Sequence, residues 1–394
     1  MLELWNPIAP ILIGGIVFLI FWIQFWKYWS ESQENDFPLG YERTQSNLRR
    51  PETIQALKTQ RQIGSVRPYY PNGWFMLLES EKLKKQEGLE VAFMGRNVIA
   101  WRSGDQKVFV METCCASIVI NEEDSINVVS CAIHGWKFEI NEGTLKSIAE
   151  PHSEITNHIK LHNSLEQNDL IYVWHHSESI PPTWFPADIP ETRELKYRGR
   201  AVNFTNVHIQ EILENAADPN HLDDVHSDGI LLQYGGQLTR DWLRVLDPTF
   251  YEWHTDWSSN KEPGKIHMSA MIGSTTLTMF KKPILKILHH NEIQGPGLST
   301  MRAETPFGKV LSVVSFTPVD EMSQRMVHRY YFSPWMPPIL AKEYIKAGEK
   351  IVNQDVKVWN RKTYLSSPCL TKEDASINKY RLWYSQFYSE KKNH

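Results

Sequence analysis

Cysteine is scarce in this 394-residue chain, with four in all at Cys114, Cys115, Cys131 and Cys369. One adjacent pair and two distant singles make a poor disulfide framework, which indicates a reducing compartment and leaves the thiols free for a metal. Excess positive charge is also lacking. A net charge of −4 argues against nucleic acid as a partner, because gripping phosphates takes a basic surface. Histidine is absent from residues 1 to 133, although the chain has 15. No internal repeat or low-complexity tract interrupts the sequence, which excludes a solenoid. The length admits roughly two or three domains. Trp, Tyr and Phe number 15, 15 and 16, a supply that serves a bulky core as readily as an apolar ligand site.

Long apolar runs are rare as well, with one exception. Residues 8–26, "IAPILIGGIVFLIFWIQFW", hold Gln24 as the one clearly polar side chain. As a helix at ~1.5 Å per residue this run would span ~28 Å, about one hydrocarbon core. Trp22, Trp26, Tyr28 and Trp29 gather at its end, where an aromatic belt belongs. Glu3 leads it and no small-residue cleavage site follows, unlike a signal peptide. Lys27, Arg43, Arg49, Arg50, Lys58 and Arg61 follow the run. By the positive-inside rule the sequence predicts a single-pass membrane protein with its large domain in the cytosol, or in the matrix if the membrane is mitochondrial.

Residues 1–30 are thus read as a transmembrane anchor and the polar residues 31–64 as a juxtamembrane linker or wrapping arm. From "RPYYPNGWFMLLES" onward, short alternating segments such as "LEVAFMG", "VIAWRS" and "QKVFVME" predict a small all-β domain over 65–180, ending near "LIYVWHH". The Pro-rich joint "SIPPTWFPADIPE" opens a second region, 181–394. There a helical stretch, "NVHIQEILENAADPNHLDDVH", precedes strand-like "HMSAMIGSTTLTMF" and "KVLSVVSFTPV", and long helices follow from about Pro338. The expected class is α+β: a strand-rich small domain, then a mixed domain of antiparallel sheet and helices.

Two constellations carry chemistry. "CAIHGW" sets Cys131 and His134 at C-x-x-H spacing, enough for one edge of a metal and a weak signal alone. A cluster held by two thiolates and two imidazoles needs a second loop, C-x-H, upstream. Cys114-Cys115-Ala116 stands there, without the histidine. The second constellation is "DPNHLDDVH", with Asp218, His221 and His226. If Asp218 caps a helix that Pro219 opens, His221 projects from its first turn. His226 follows about 140° around an ideal helix, so both face one metal only if the helix ends or bulges between them. "SDG" just after supplies a stop. Two imidazoles and a carboxylate with open positions suit non-haem Fe(II), whereas a solvated acidic turn would read the same way.

Joined in order, "RPYYPNGWF", "CAIHGWKFE", "PPTWFPADIPE", "HIQEILENAADPNHLDDVH", "NQDVKVWNRKTY" and "LTKEDASINKYRLWYSQFYSE" resemble the Rieske-type oxygenases, in particular the cholesterol 7-desaturase (Neverland-type) branch. The likeness covers about residues 67–390. It implies a Rieske-like domain followed by a helix-grip oxygenase domain. It also implies His221, His226 and Asp355 in "NQDVKVW" as ligands of a mononuclear non-haem Fe(II). In the family the aspartate matching Asp218 bonds both an iron histidine and, across a head-to-tail trimer, the neighbour's cluster histidine, here matched by His134. That makes Asp218 a candidate catalytic residue. Electrons would come from NAD(P)H through a reductase, and the substrate would be a sterol or other apolar lipid. The endoplasmic reticulum is the membrane the resemblance implies.

The departure is "CCASIVIN", about three residues shorter than the family's loop, with Ala116 where the second imidazole belongs. Three readings stay open. The [2Fe–2S] cluster is lost; or three thiolates and one histidine (Cys114, Cys115, Cys131 and His134, with Cys115 as substitute ligand) hold an altered one; or a remote His152 or His158 takes the place. Two functions follow. One is an oxygenase desaturating or hydroxylating a sterol. The other is a pseudo-oxygenase serving as a structural or sterol-binding subunit of a membrane assembly.

Overall fold

The computed structural model describes residues 67–85, 88–112, 160–228, 248–365, 371–372 and 374–389, and the backbone of strands at 33–37, 118–119, 128–131, 137–141 and 144–147. The predicted span at 8–26 lies outside these residues. Among the described residues no helix is long and apolar enough to cross a membrane.

A short strand, β1 (Gln33–Phe37), falls within the residues read as a juxtamembrane linker or wrapping arm. The small domain then runs through β2 (Gly73–Glu79), β3 (Gly88–Phe93), β4 (Arg96–Arg102), β5 (Val108–Glu112), β6 (Ile118–Val119), β7 (Val128–Cys131), β8 (Lys137–Asn141), β9 (Thr144–Ser147), β10 (Lys160–His162), β11 (Ser164–Gln167) and β12 (Leu170–His175). They form three antiparallel sheets, in the orders β10-β5-β4-β3, β11-β12-β2 and β6-β7-β8-β9. The sequence explains their differences. "GLEVAF" alternates and is half exposed, whereas every residue of "GWFMLLE" is buried, because β2 packs on both faces. Met94 and Gly95, both at positive φ (52° and 75°), make the tight turn between β3 and β4. In the third sheet Ile118 pairs with Cys131.

The larger domain is one sheet of eight strands. It contains β1, β13 (Lys196–Asn206), β14 (Thr249–Ser259), β15 (Met268–Met279), β16 (Lys282–Gln294), β17 (Leu298–Thr305), β18 (Gly308–Asp320) and β19 (Ser323–Phe332). Their order is β1-β13-β19-β18-β17-β16-β15-β14, antiparallel except for β1, which pairs parallel with β13. The helices are α1 (Glu191–Glu194), α2 (Ile209–Glu214), α3 (Pro219–His226), α4 (Pro338–Trp359) and α5 (Ala375–Tyr384).

Strand alternation gives this sheet two faces. On one, Val202, Leu298, Leu311, Val313, Val327 and Tyr331 pack against Trp74, Met76, Tyr172 and Trp174 of the small domain. On the other, Ala201, Ala303, Val310, Tyr330 and Phe332 meet Ala341 and Ile345 of α4. The spacing of Ala341, Ile345, Val352, Val356 and Trp359 lays an apolar stripe along α4, and Pro338 opens it with a fixed φ and no wasted N–H. Asn360, just beyond its end, accepts from the Asn206 N–H at 2.8 Å and pins the helix to β13.

Candidate metal centre

The helical stretch expected from Asn206 to His226 is broken into α2, one 3-10 turn (Asn215–Ala217) and α3. Asp218 sits at the break. Its Oδ1 accepts from the His221 N–H at 3.1 Å, capping α3, with Pro219 in the first helical turn. The sequence argument required α3 to end or bulge between His221 and His226. It does neither, since α3 is continuous and His226 is its last residue. The rings still meet, with centroids 4.9 Å apart and planes at 90°. Both side chains lean toward α4, and the terminal position of His226 leaves no following turn to block its ring.

Asp355, about one turn before the end of α4, completes the group. Its Oδ1 lies 3.0 Å from His226 Nε2 and 3.2 Å from His221 Nε2. One ligand atom from each of the three falls within 4.8 Å of the others. Gln354, the preceding residue, places Oε1 2.9 Å from His226 Nδ1. An amide oxygen only accepts, so the His226 proton is on Nδ1 and Nε2 turns a lone pair toward Asp355. Nε2 and Oδ1 are both buried, and neither has a hydrogen-bond partner. Two acceptors at 3.0 Å call for a cation between them, so the residues fit a metal ion. Burial disfavours charge on His226, yet the Asp355 carboxylate and the Gln354 oxygen raise its pKa above the ordinary value. Burial likewise opposes ionisation of Asp355, but the two imidazoles hold its pKa below the usual carboxylate range. A set of two imidazoles and one carboxylate is the facial arrangement that suits Fe(II) with open positions.

Three neighbours escaped the sequence reading. Asn215 Nδ2 lies 3.2 Å from His221 Nε2. Trp253, on β14, donates from Nε1 to the His226 carbonyl at 3.3 Å, and its backbone N–H donates to Asp223. Gln354 is the third. Its place beside Asp355 was a signal, whereas nothing in the sequence joins Trp253 to a helix more than twenty residues earlier.

The structure therefore brings His221, His226 and Asp355 together, with Asp218 one residue before α3. Cys114, Cys115 and His134, like His152 and His158, lie outside the described residues, and of Cys131 only the backbone is described. For a cluster, the two loops offer three thiols and one imidazole where two of each are the rule. That donor set does not match the usual one.

Comparison with known proteins agrees with this layout. The Rieske [2Fe-2S] domain family matches residues 73–161, and the 3-ketosteroid 9alpha-hydroxylase C-terminal domain family matches residues 173–388. Cholesterol 7-desaturase nvd of Xenopus laevis is 32% identical over 400 residues, covering 97% of this chain and 86% of the relative. Its namesake in Drosophila melanogaster is 30% identical, covering 98% and 93%. Among solved structures, dicamba monooxygenase bound to dicamba aligns with a TM-score of 0.57 at 12% identity, over 82% of this chain and 98% of that one, a likeness of fold.

Proposed function

Because the chain belongs to the cholesterol 7-desaturase family of Rieske-type oxygenases, we propose that it oxidises a sterol, with dioxygen as the oxidant. In a 7,8-desaturation the sterol gives up two hydrogens, a reductase fed by NAD(P)H supplies two electrons and solvent two protons. Dioxygen leaves as two waters. The observation that carries this reading is the buried His221, His226 and Asp355 group, whose Nε2 and Oδ1 atoms converge with no hydrogen bond between them. Ferrous iron, when bound there, would supply the dioxygen chemistry.

The chain's own residues have distinct parts. Gln354 fixes the tautomer of His226, and Asp218 holds the backbone from which His221 projects. The same Asp218 carboxylate is proposed as the bridge to a neighbouring subunit's cluster histidine in a trimer, the counterpart of His134. Residues 8–26 are proposed as a single membrane span with the oxygenase domain in the cytosol, at the endoplasmic reticulum. A matrix-facing place in the mitochondrial inner membrane is the alternative. A bilayer-dissolved sterol would then reach the protein without crossing water.

One observation favours a second reading. The loops are an imidazole short, so the protein would be a retired oxygenase that binds a sterol or supports a membrane assembly. Iron and acid-labile sulfide on anaerobically purified protein, with an EPR spectrum after dithionite, decide between the two. About three irons and two sulfides per chain, with a reduced-cluster signal, support the oxygenase. About one iron and no sulfide support the retired form. In the latter case Ala116→His should strengthen or restore the cluster signal, and a silent, folded variant would mean that the shortened loop no longer closes on a cluster.

A further inference from the structure

The face of the large sheet beneath α4 carries polar side chains that the apolar packing around them does not explain. Both polar atoms of Asn203, the hydroxyl of Ser312 and Nε2 of His328 are buried and have no hydrogen-bond partner. Asn203 and Ser312 are each 2% exposed and His328 is 8% exposed. An unpaired buried polar group gives up its hydrogen bonds to water and gains none in return, so folded proteins keep few of them.

Two of them are neighbours. Asn203 pairs with Met326, two residues before His328 on the same face of β19, and is thus a diagonal cross-strand neighbour of His328, at roughly 7–8 Å between backbones. Ser312 pairs with Tyr330, two residues after His328, and lies on the other side of β19, about 15 Å from Asn203. The His328 ring also stacks on Tyr330, with centroids 6.1 Å apart.

Their level along the sheet matches that of the metal centre. Tyr330, paired with Gly199 of β13, comes so near α4 that a β-carbon on Gly348 would lie 3.0 Å from its hydroxyl. Asn360 meets Asn206 further along, so α4 and β13 run in the same direction. Asp355 lies five residues before Asn360, about 7.5 Å back along the helix. Asn203 lies three residues before Asn206, about 10 Å back along the strand. Asn203 and Asp355 therefore share one level beneath α4, with His328 on the next strand beside Asn203, whereas Ser312, paired with Tyr330, lies nearer Gly348.

We propose that Asn203 and His328 anchor the hydroxyl of an otherwise apolar substrate, and so set which carbon of it faces the metal centre. This rests on the sterol reading above and goes beyond it by naming the end of the molecule that is recognised. An alcohol both donates and accepts, and the pair offers both functions: the Asn203 amide and carbonyl and the His328 ring nitrogen. Burial pushes the His328 pKa down to about 4, so the ring is neutral and suits an uncharged hydroxyl better than a carboxylate. His289, on the same face and stacked against Trp253 at 6.0 Å, continues the polar lining toward His226.

The test is a binding titration on the full chain in detergent micelles, following tryptophan fluorescence, with cholesterol and its 3-deoxy analogue cholest-5-ene as probes. The expected result is about tenfold tighter binding of cholesterol. Asn203→Leu and His328→Phe should each bring the ratio near one, while affinity for cholest-5-ene is kept. Equal binding of the two probes by the unaltered protein, or variants that keep the full ratio, would overturn the anchor. Saturable binding of neither probe would sink the sterol reading itself, a result distinct from losing the anchor alone.

Discussion

The two faces of the large sheet are built from the same strands and could hardly differ more. Against the small domain the sheet presents branched and aromatic side chains, and the Ser315 and Thr317 hydroxyls donate to the Met76 sulfur and carbonyl at 3.0 and 2.6 Å. Its unpaired atoms there, the Tyr331 hydroxyl and Nε of Arg325 and Arg329, belong to side chains otherwise held by ring packing or other hydrogen bonds. Beneath the helices the sheet leaves Asn203 and the Ser312 hydroxyl wholly unpaired, and the helices on that side bring a carboxylate and two imidazoles to one point. One face is a joint between domains, finished by folding. The other is finished only by something that enters.

That contrast can be broken at several points. The largest effect belongs to the metal group. Asp355→Ala or His221→Ala should take iron from about one mononuclear ion per chain to background by elemental analysis, because two ligands rarely hold Fe(II) in water. An unchanged iron content would remove the site. On the opposite face, Leu311→Ala should cost about 2–5 kcal/mol of stability, read as a lower denaturation midpoint, and leave the iron stoichiometry alone. Loss of iron without loss of stability would mean that the faces are not separable. Next in size, Gln354→Leu should weaken iron binding roughly 10- to 100-fold in a chelator competition, and Gln354→Glu, which keeps an acceptor on Nδ1, should recover most of it.

The smallest effect is a pH dependence. Burial pushes both His289 and His328 down to about 4, well below the unfolded value near 6.5. The unfolded chain then binds more protons between those limits, so stability is complete above about pH 6.5 and falls as the pH drops toward 4. His328→Phe should remove about 1 kcal/mol of the loss between pH 7.5 and 5.5, seen as a flatter profile of melting temperature against pH. An identical profile in the variant would show that His328 is not buried as a neutral ring.

Much of this was legible in the chain itself, for physical reasons. Alternating runs such as "LEVAFMG" and the β-branched "KVLSVVSFTPV" appear as strands Gly88–Phe93 and Gly308–Asp320. The cap by Asp218 and the turn opened by Pro219 follow from local chemistry, and they are where the sequence put them. The geometry between His221 and His226 was misjudged, because an ideal helical angle describes backbone directions and not where long side chains can reach. Asp355 came from resemblance alone, since it follows His226 by 129 positions and nothing local signals that α4 returns to α3. The unpaired pair was illegible for the same reason: Asn203 and His328 become neighbours only through the register of β13 and β19.

The parallel strand β1 has a consequence for reach. It joins the sheet at Gln33, and the proposed span ends at Trp26, so six residues separate them. Fully extended, seven Cα steps cover no more than about 25 Å. The sheet would therefore ride on a stub rather than a leash, with β13 and the helices beside it held at a fixed height and tilt above the lipid. Lengthening that stub with a flexible insert after Trp26 would let the domain drift from the surface, and sterol delivery would become a matter of diffusion instead of placement.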